Sequence, residues 1–96
     1  LLIFWLEAAE LDAIEILEYI AQDNITAAYG VYEAIQQQVN HLAEHPKLGR
    51  IRRVKGTREL VISGTPYIVA YRVMGEIIQI LRILHGAQKW ERQFLS

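Results

Sequence analysis

Residues 58–84 read RELVISGTPYIVAYRVMGEIIQILRIL, and three strands fall out of this stretch. Arg58 to Ser63 runs into Gly64-Thr65-Pro66, a turn signal. Tyr67 to Val73 sets Tyr67, Val69, Tyr71 and Val73 against Ile68, Ala70 and Arg72, the two-residue period of a strand. Met74-Gly75-Glu76 closes a tight hairpin. Ile77 to Leu84 is apolar on both faces except at Gln79 and Arg82, as a central strand would be. Strict alternation places Arg82 on the side of Ile78, Ile80 and Leu84. The tail from Gly86 to Ser96 suits helix or extended chain equally.

Upstream, Leu1 to Leu6 is a short apolar, aromatic-rich run that reads as a strand. From Glu7 the period changes. Ala9, Ala13, Ile16, Leu17 and Ile20 follow helical spacing, with Glu7, Glu15, Glu18 and Gln22 opposite. Leu11 alone does not fit this stripe. Glu7 and Glu10 suit the positive end of the helix dipole. Asp23-Asn24 breaks the pattern, and Asn24 is placed to cap a second helix. That helix has a core stripe of Ala28, Val31, Tyr32, Ile35, Val39 and Leu42, and is expected to end at His45-Pro46. Gly30 within it costs about 1 kcal/mol relative to alanine, which implies close approach of the two helices there. A break this short makes an antiparallel hairpin. Lys47 to Thr57 reads as a loop. The expected class is α+β in the order β-α-α-β-β-β, a helical hairpin on a mainly antiparallel sheet with a short tail.

The chain has 96 residues, 52% of them apolar and 22% charged, with no cysteine. This composition excludes a disordered chain, a disulfide scaffold and thiolate chemistry. It suits one domain over residues 1–96. No apolar run is long enough for a membrane span, and Leu1–Leu6 is too short for a signal segment. The sequence opens without methionine, so leading residues are expected before Leu1.

A net charge of −1 conceals a division. Residues 1–46 hold eight acids (Glu7, Glu10, Asp12, Glu15, Glu18, Asp23, Glu33 and Glu44) and neither lysine nor arginine. Residues 47–96 hold all ten bases and only Glu59, Glu76 and Glu91. The halves either neutralise each other within one fold or present two faces to charged partners.

Few residues point to chemistry. His41 and His45 share a helix face, but no further metal ligands accompany them, so no metal or cofactor is expected. The cluster Arg50, Arg52, Arg53 and Lys55 could hold phosphate or an acidic protein, and without interleaved aromatics the protein partner is favoured. Arg82, in an apolar strand, must be paired or line a cleft. Arg58, Glu59 and Arg72 on the neighbouring strands are its companions in either an internal ion-pair network or a binding cleft. His85 could act as a base, yet no nucleophile accompanies it. Trp90 would staple the tail or anchor a partner. No phosphate loop, catalytic triad spacing or metalloprotease motif is present.

Taken together, Trp5, Glu7-Ala8, Tyr19-Ile20, Asp23-Asn24 and Ala27-Ala28 resemble the RelE/ParE toxins. So do His45-Pro46-x-x-Gly49-Arg50, Gly56-Thr57-Arg58-Glu59-Leu60-Val61, Tyr67-Ile68-Val69-x-Tyr71-Arg72 and Ile80-Leu81-Arg82-x-Leu84-His85-Gly86-Ala87-x-x-Trp90. The resemblance covers essentially the whole chain. It implies a cytoplasmic toxin of a bacterial type II module, neutralised by a ParD-like or RelB-like antitoxin whose acidic residues would meet Arg58, Arg72 and Arg82. RelE-like members cleave mRNA on the ribosome, whereas ParE-like members poison DNA gyrase. The positions that are basic in the RNA-cleaving branch correspond here to Glu59, Val61, Ile68 and Ala87, none of them basic. The tail tyrosine position falls near Gln93-Phe94. The resemblance therefore favours the gyrase-directed branch, with no catalytic residue of its own. The alternatives are a ribosome-dependent nuclease or a module that only binds its partner.

Overall fold

A computed structural model describes residues 1–86. Strand β1 (Leu2–Trp5) leads into helices α1 (Glu7–Ala21) and α2 (Ile25–Asn40). Strands β2 (Arg50–Ile51), β3 (Arg58–Val61), β4 (Tyr67–Met74) and β5 (Ile77–His85) follow. They form one sheet in the order β1-β5-β4-β3-β2, antiparallel except that β1 runs parallel to β5. Parallel pairing of β1 with β5 needs a long connection between them, which the helical hairpin and the meander supply. The β4–β5 turn places Gly75 at φ +60°, a conformation that favours glycine.

The helices pack on one face of the sheet. Ala9, Ile35, Val39 and Leu42 share a buried cluster with Leu60, Ile62, Val69, Tyr71, Ile78, Ile80 and Ile83. Asn24 caps α2 as expected, its Oδ1 accepting the Ala27 N–H at 3.0 Å. Gln38 ties α2 to the β3–β4 turn: its amide donates to the Ser63 carbonyl and accepts the Ser63 N–H.

The structure corrects five local expectations. The α-helix stops at Asn40, short of His45, and a 3₁₀ turn over His41–Ala43 carries Leu42 into the core. Tyr32 is 46% exposed and lies outside the core stripe. A Cβ on Gly30 would meet nothing within 4 Å, so no close helix approach explains it. Within Lys47–Thr57, Arg50 and Ile51 pair with Glu59 and Arg58, adding a fifth strand too short to show a period. Finally, the β4–β5 register shifts between Ala70/Arg82 and Tyr71/Ile80, leaving Leu81 without an opposite number. This bulge reverses the alternation. Ile78 and Ile80 share the helix-side cluster with Ile83, while Leu81 and Leu84 join Ala70 in a second cluster with Leu6 and Val54. Arg82 is thereby detached from the side of Ile78 and Ile80.

Gly30 gives a direct expectation. Gly30→Ala adds a methyl in open space within a helix and should stabilise the fold by about 0.5–1 kcal/mol in urea denaturation. Destabilisation would mean that the helices do close on this position.

Candidate functional site

Arg82 lies just past the point where β1 stops covering β5. The β1–β5 register ends at Trp5↔Ile80, and the Leu6 N–H makes one further bond to the Ile80 carbonyl. Beyond it the edge of β5 faces α1, and Asp12 fills the position a strand would have taken. Its Oδ2 accepts the Ile83 N–H at 2.9 Å and the Arg82 Nε–H at 2.7 Å. Its Oδ1 accepts from Arg82 Nη2 at 3.0 Å. The hydrogen bonds to Asp12 raise the Arg82 guanidinium pKa above its ordinary value, against the opposing effect of burial. Asp12 and Arg82 line an open cleft of about 360 Å³ with Glu15, Tyr19, Tyr67 and His85. Tyr67 and His85 face each other edge-on, ring centroids 5.9 Å apart. Nothing in the sequence singled out Asp12. The available signal was an acid bordering the apolar stripe of α1.

On strand β3, Glu59 lies opposite Ala70 and is buried at 2% exposure. Its Oε1 lies 3.1 Å from Arg52 Nε and 3.8 Å from Arg50 Nη2. Two bases of the β2–β3 segment are thus partly neutralised from within, while Arg53 and Lys55 are exposed. Thr57 shapes the same segment by donating its hydroxyl to the Val54 carbonyl.

Tyr71 holds the approach to β2. Its hydroxyl donates to the Pro46 carbonyl and accepts the Gly49 N–H, both at 2.8 Å. Arg58 Nη1 donates to the Gly49 carbonyl at 2.7 Å. Burial pushes the Tyr71 phenol above its usual 10.0, only partly offset by the Gly49 hydrogen bond and the nearby Arg58 charge. The folded phenol therefore holds its proton more tightly than the unfolded one. Its contribution to stability is intact below about pH 10 and is lost as pH rises through the higher folded value. Tyr67 shifts the same way through burial. Tyr71→Phe should flatten the alkaline loss of stability measured by denaturation between neutral and strongly alkaline pH. An unchanged slope would remove Tyr71 as its source.

The three arginines expected to converge serve separate places. Arg58 pairs in register with Tyr71, and Arg72 follows Tyr71, so Arg58 and Arg72 project to opposite sides of the sheet. Arg72 Nε donates to Gln79 Oε1 at 2.7 Å on an exposed surface. Arg82 is engaged by Asp12. No single cleft joins Arg58, Arg72 and Arg82. Trp90 lies outside the described residues. His41 and His45 are both exposed at the end of the helical region.

A helical hairpin on a five-stranded sheet, with partly buried ion pairs at Asp12–Arg82 and Glu59–Arg52, defines a small α+β fold shared with known toxins. The family described as the ParE toxin of the type II toxin–antitoxin system parDE matches residues 3–90. The Sinorhizobium fredii protein Y4kP, which bears a toxin name, is 43% identical over 76 residues, 79% of this chain and 78% of that protein. Toxin RelE2 of Caulobacter vibrioides is 34% identical over 84 residues, 88% of this chain and 91% of that protein. Among solved structures, the chromosomal ParDE system of P. aeruginosa superposes with a TM-score of 0.78 at 30% identity, covering 88% of this chain and 95% of that one. The intact E. coli RelBE complex gives 0.59 at 13% identity over 91% and 98%, a likeness of fold alone. The chain belongs to the ParE toxin family of type II toxin–antitoxin systems.

Proposed function

We propose that this toxin acts in the cytoplasm by poisoning DNA gyrase and is silenced by a tightly bound cognate antitoxin. The observation that supports this best is the fate of Glu59. It stands where the RNA-cleaving relatives are expected to carry a base, and it is a buried carboxylate paired with Arg50 and Arg52. Phosphoryl chemistry depends on preorganised positive charge at the reacting phosphate. A carboxylate at that place works against it. Val61 and Ile68, the neighbouring positions, are apolar. Arg82 is already bidentate to Asp12, which leaves it poorly placed to serve a phosphate.

An antitoxin partner follows from family membership. Of the three arginines expected to meet it, Arg72 is the exposed one and is the contact this reading retains. The function is tested by adding purified toxin to gyrase in a supercoiling assay. Dose-dependent inhibition, relieved by the co-expressed antitoxin, is expected. Full supercoiling in the presence of folded toxin would reject the proposal.

A further inference from the structure

The face of the sheet turned away from the helices is covered toward β2 and bare toward β1. Ile3, Trp5, Tyr71, Ile78 and Ile80 take the helix side, so their neighbours along each strand point the other way. Toward β2, Val54 packs on Ala70, Leu81 and Leu84 and carries its segment over this face. Toward β1, the registers line up Leu2, Ile77 and Met74 in one row across three strands, 71%, 41% and 50% exposed. The next row is Phe4, Gln79 and Arg72, with Phe4 56% exposed and Arg72 exposed as well. Successive rows on one face of a sheet lie about 7 Å apart, so these side chains make one patch. Exposed apolar residues are ordinary singly, whereas a contiguous group of them marks a contact surface. Phenylalanine, methionine and arginine are the side chains enriched in protein interfaces, and Gln79 Oε1 already orients the Arg72 guanidinium.

Charge decides the kind of partner. Among the described residues, Glu59 is the one acid in the five strands, and it is buried against Arg52. Arg50, Arg53, Lys55 and Arg72 are exposed. The eight acids of residues 1–46 belong instead to the helical hairpin and the turns at its ends. The bare face is therefore apolar at its centre and basic around it. A phosphate backbone would match the bases but leave the Leu2–Ile77–Met74 row uncovered, and Phe4 alone gives a strand of bases little to stack along. An acidic protein surface with apolar side chains at its middle matches both parts.

We propose that this open face is the surface by which the toxin grips its target protein, through an acidic patch of the target built round an apolar centre. The inference rests on the gyrase reading above and adds where on the toxin the contact falls. The apolar row supplies affinity, and the surrounding bases supply rate and selectivity. Arg72 is also the antitoxin contact retained above, so the two partners exclude each other at this position.

Fluorescently labelled toxin titrated with gyrase in the absence of DNA, read by anisotropy, tests this beside the supercoiling assay. Phe4→Ala, Met74→Ala and Arg72→Glu alter the patch, and Leu11→Ala alters an exposed leucine of α1. All four positions are exposed, so the variants should keep the wild-type circular dichroism. Phe4→Ala and Met74→Ala should each weaken binding about ten-fold, with little dependence on salt. Arg72→Glu should weaken it at least about ten-fold at low salt, the loss shrinking as salt rises. Leu11→Ala should bind and inhibit as the wild type does. Wild-type affinity in the three patch variants, or an equal loss in Leu11→Ala, would overturn the proposal. So would tight binding to duplex DNA without gyrase that Arg72→Glu abolishes, which would give the face to nucleic acid. A dimer abolished by Phe4→Ala would overturn it too, giving the face to a second copy of this chain. A wild-type toxin that neither binds nor inhibits gyrase would reject the gyrase reading together with the site, whereas inhibition undiminished in every variant would remove the site alone.

Discussion

Gly49→Ala is expected to destabilise the protein by about 3 kcal/mol, at the upper end of what overpacking costs. An added Cβ would sit 2.6 Å from Tyr71 Cε1, 2.7 Å from its hydroxyl oxygen and 2.8 Å from the Glu59 carbonyl. None of these is the loose end of a flexible side chain. The Tyr71 ring is fully buried in the main core cluster, and the Glu59 carbonyl belongs to strand β3. Relief requires the segment 46–49 to move, which gives up both Tyr71 hydrogen bonds and the Arg58 bond to the Gly49 carbonyl. Urea denaturation should report the loss, and thermal melting should fall by roughly 15 °C for a domain of this size. Adding Tyr71→Phe to Gly49→Ala should recover little, because the ring carbon and the Glu59 carbonyl still obstruct the methyl. A cost below about 1 kcal/mol would mean that the segment is not clamped.

Asp12→Ala should cost about 2–3 kcal/mol by a different route. It leaves the Ile83 N–H unsatisfied in a residue only 2% exposed, and it strips Arg82 of a bidentate partner. The Arg82 side chain is 31% exposed and its guanidinium recovers some hydration, which holds the figure below that of a fully buried pair. Asp12→Asn keeps an acceptor for the Ile83 N–H and should recover about half the loss. Equal losses for alanine and asparagine in denaturation would assign the whole effect to charge. A negligible loss for both would show that the pair is dispensable.

The framework could be read from the sequence because its signals are local. The alternation of Tyr67 to Val73, the turn at Gly75 and the Asn24 cap each need only neighbouring residues. Strand β2 escaped notice because two residues cannot display a period. The bulge at Leu81 was equally silent, and it changed which side of the sheet Arg82 belongs to. Asp12 and Arg82 meet across a separation of 70 residues, a pairing that only the packed fold reveals. Leu11, off the core stripe of α1, is exposed, and so is Tyr32 on α2, which the helical spacing had put in the core. Part of the charge division is internal neutralisation. Glu59 and Asp12 neutralise bases from within, while the remaining acids of the hairpin stay exposed.

The decisive measurement of gyrase poisoning is the covalent state of DNA after exposure to the toxin. Purified toxin mixed with gyrase, plasmid and ATP should trap protein-linked double-strand breaks when the reaction is stopped with detergent. The same preparation should leave mRNA intact on translating ribosomes. Ribosome-dependent cleavage of the transcript, with no trapped breaks in the plasmid, would contradict it.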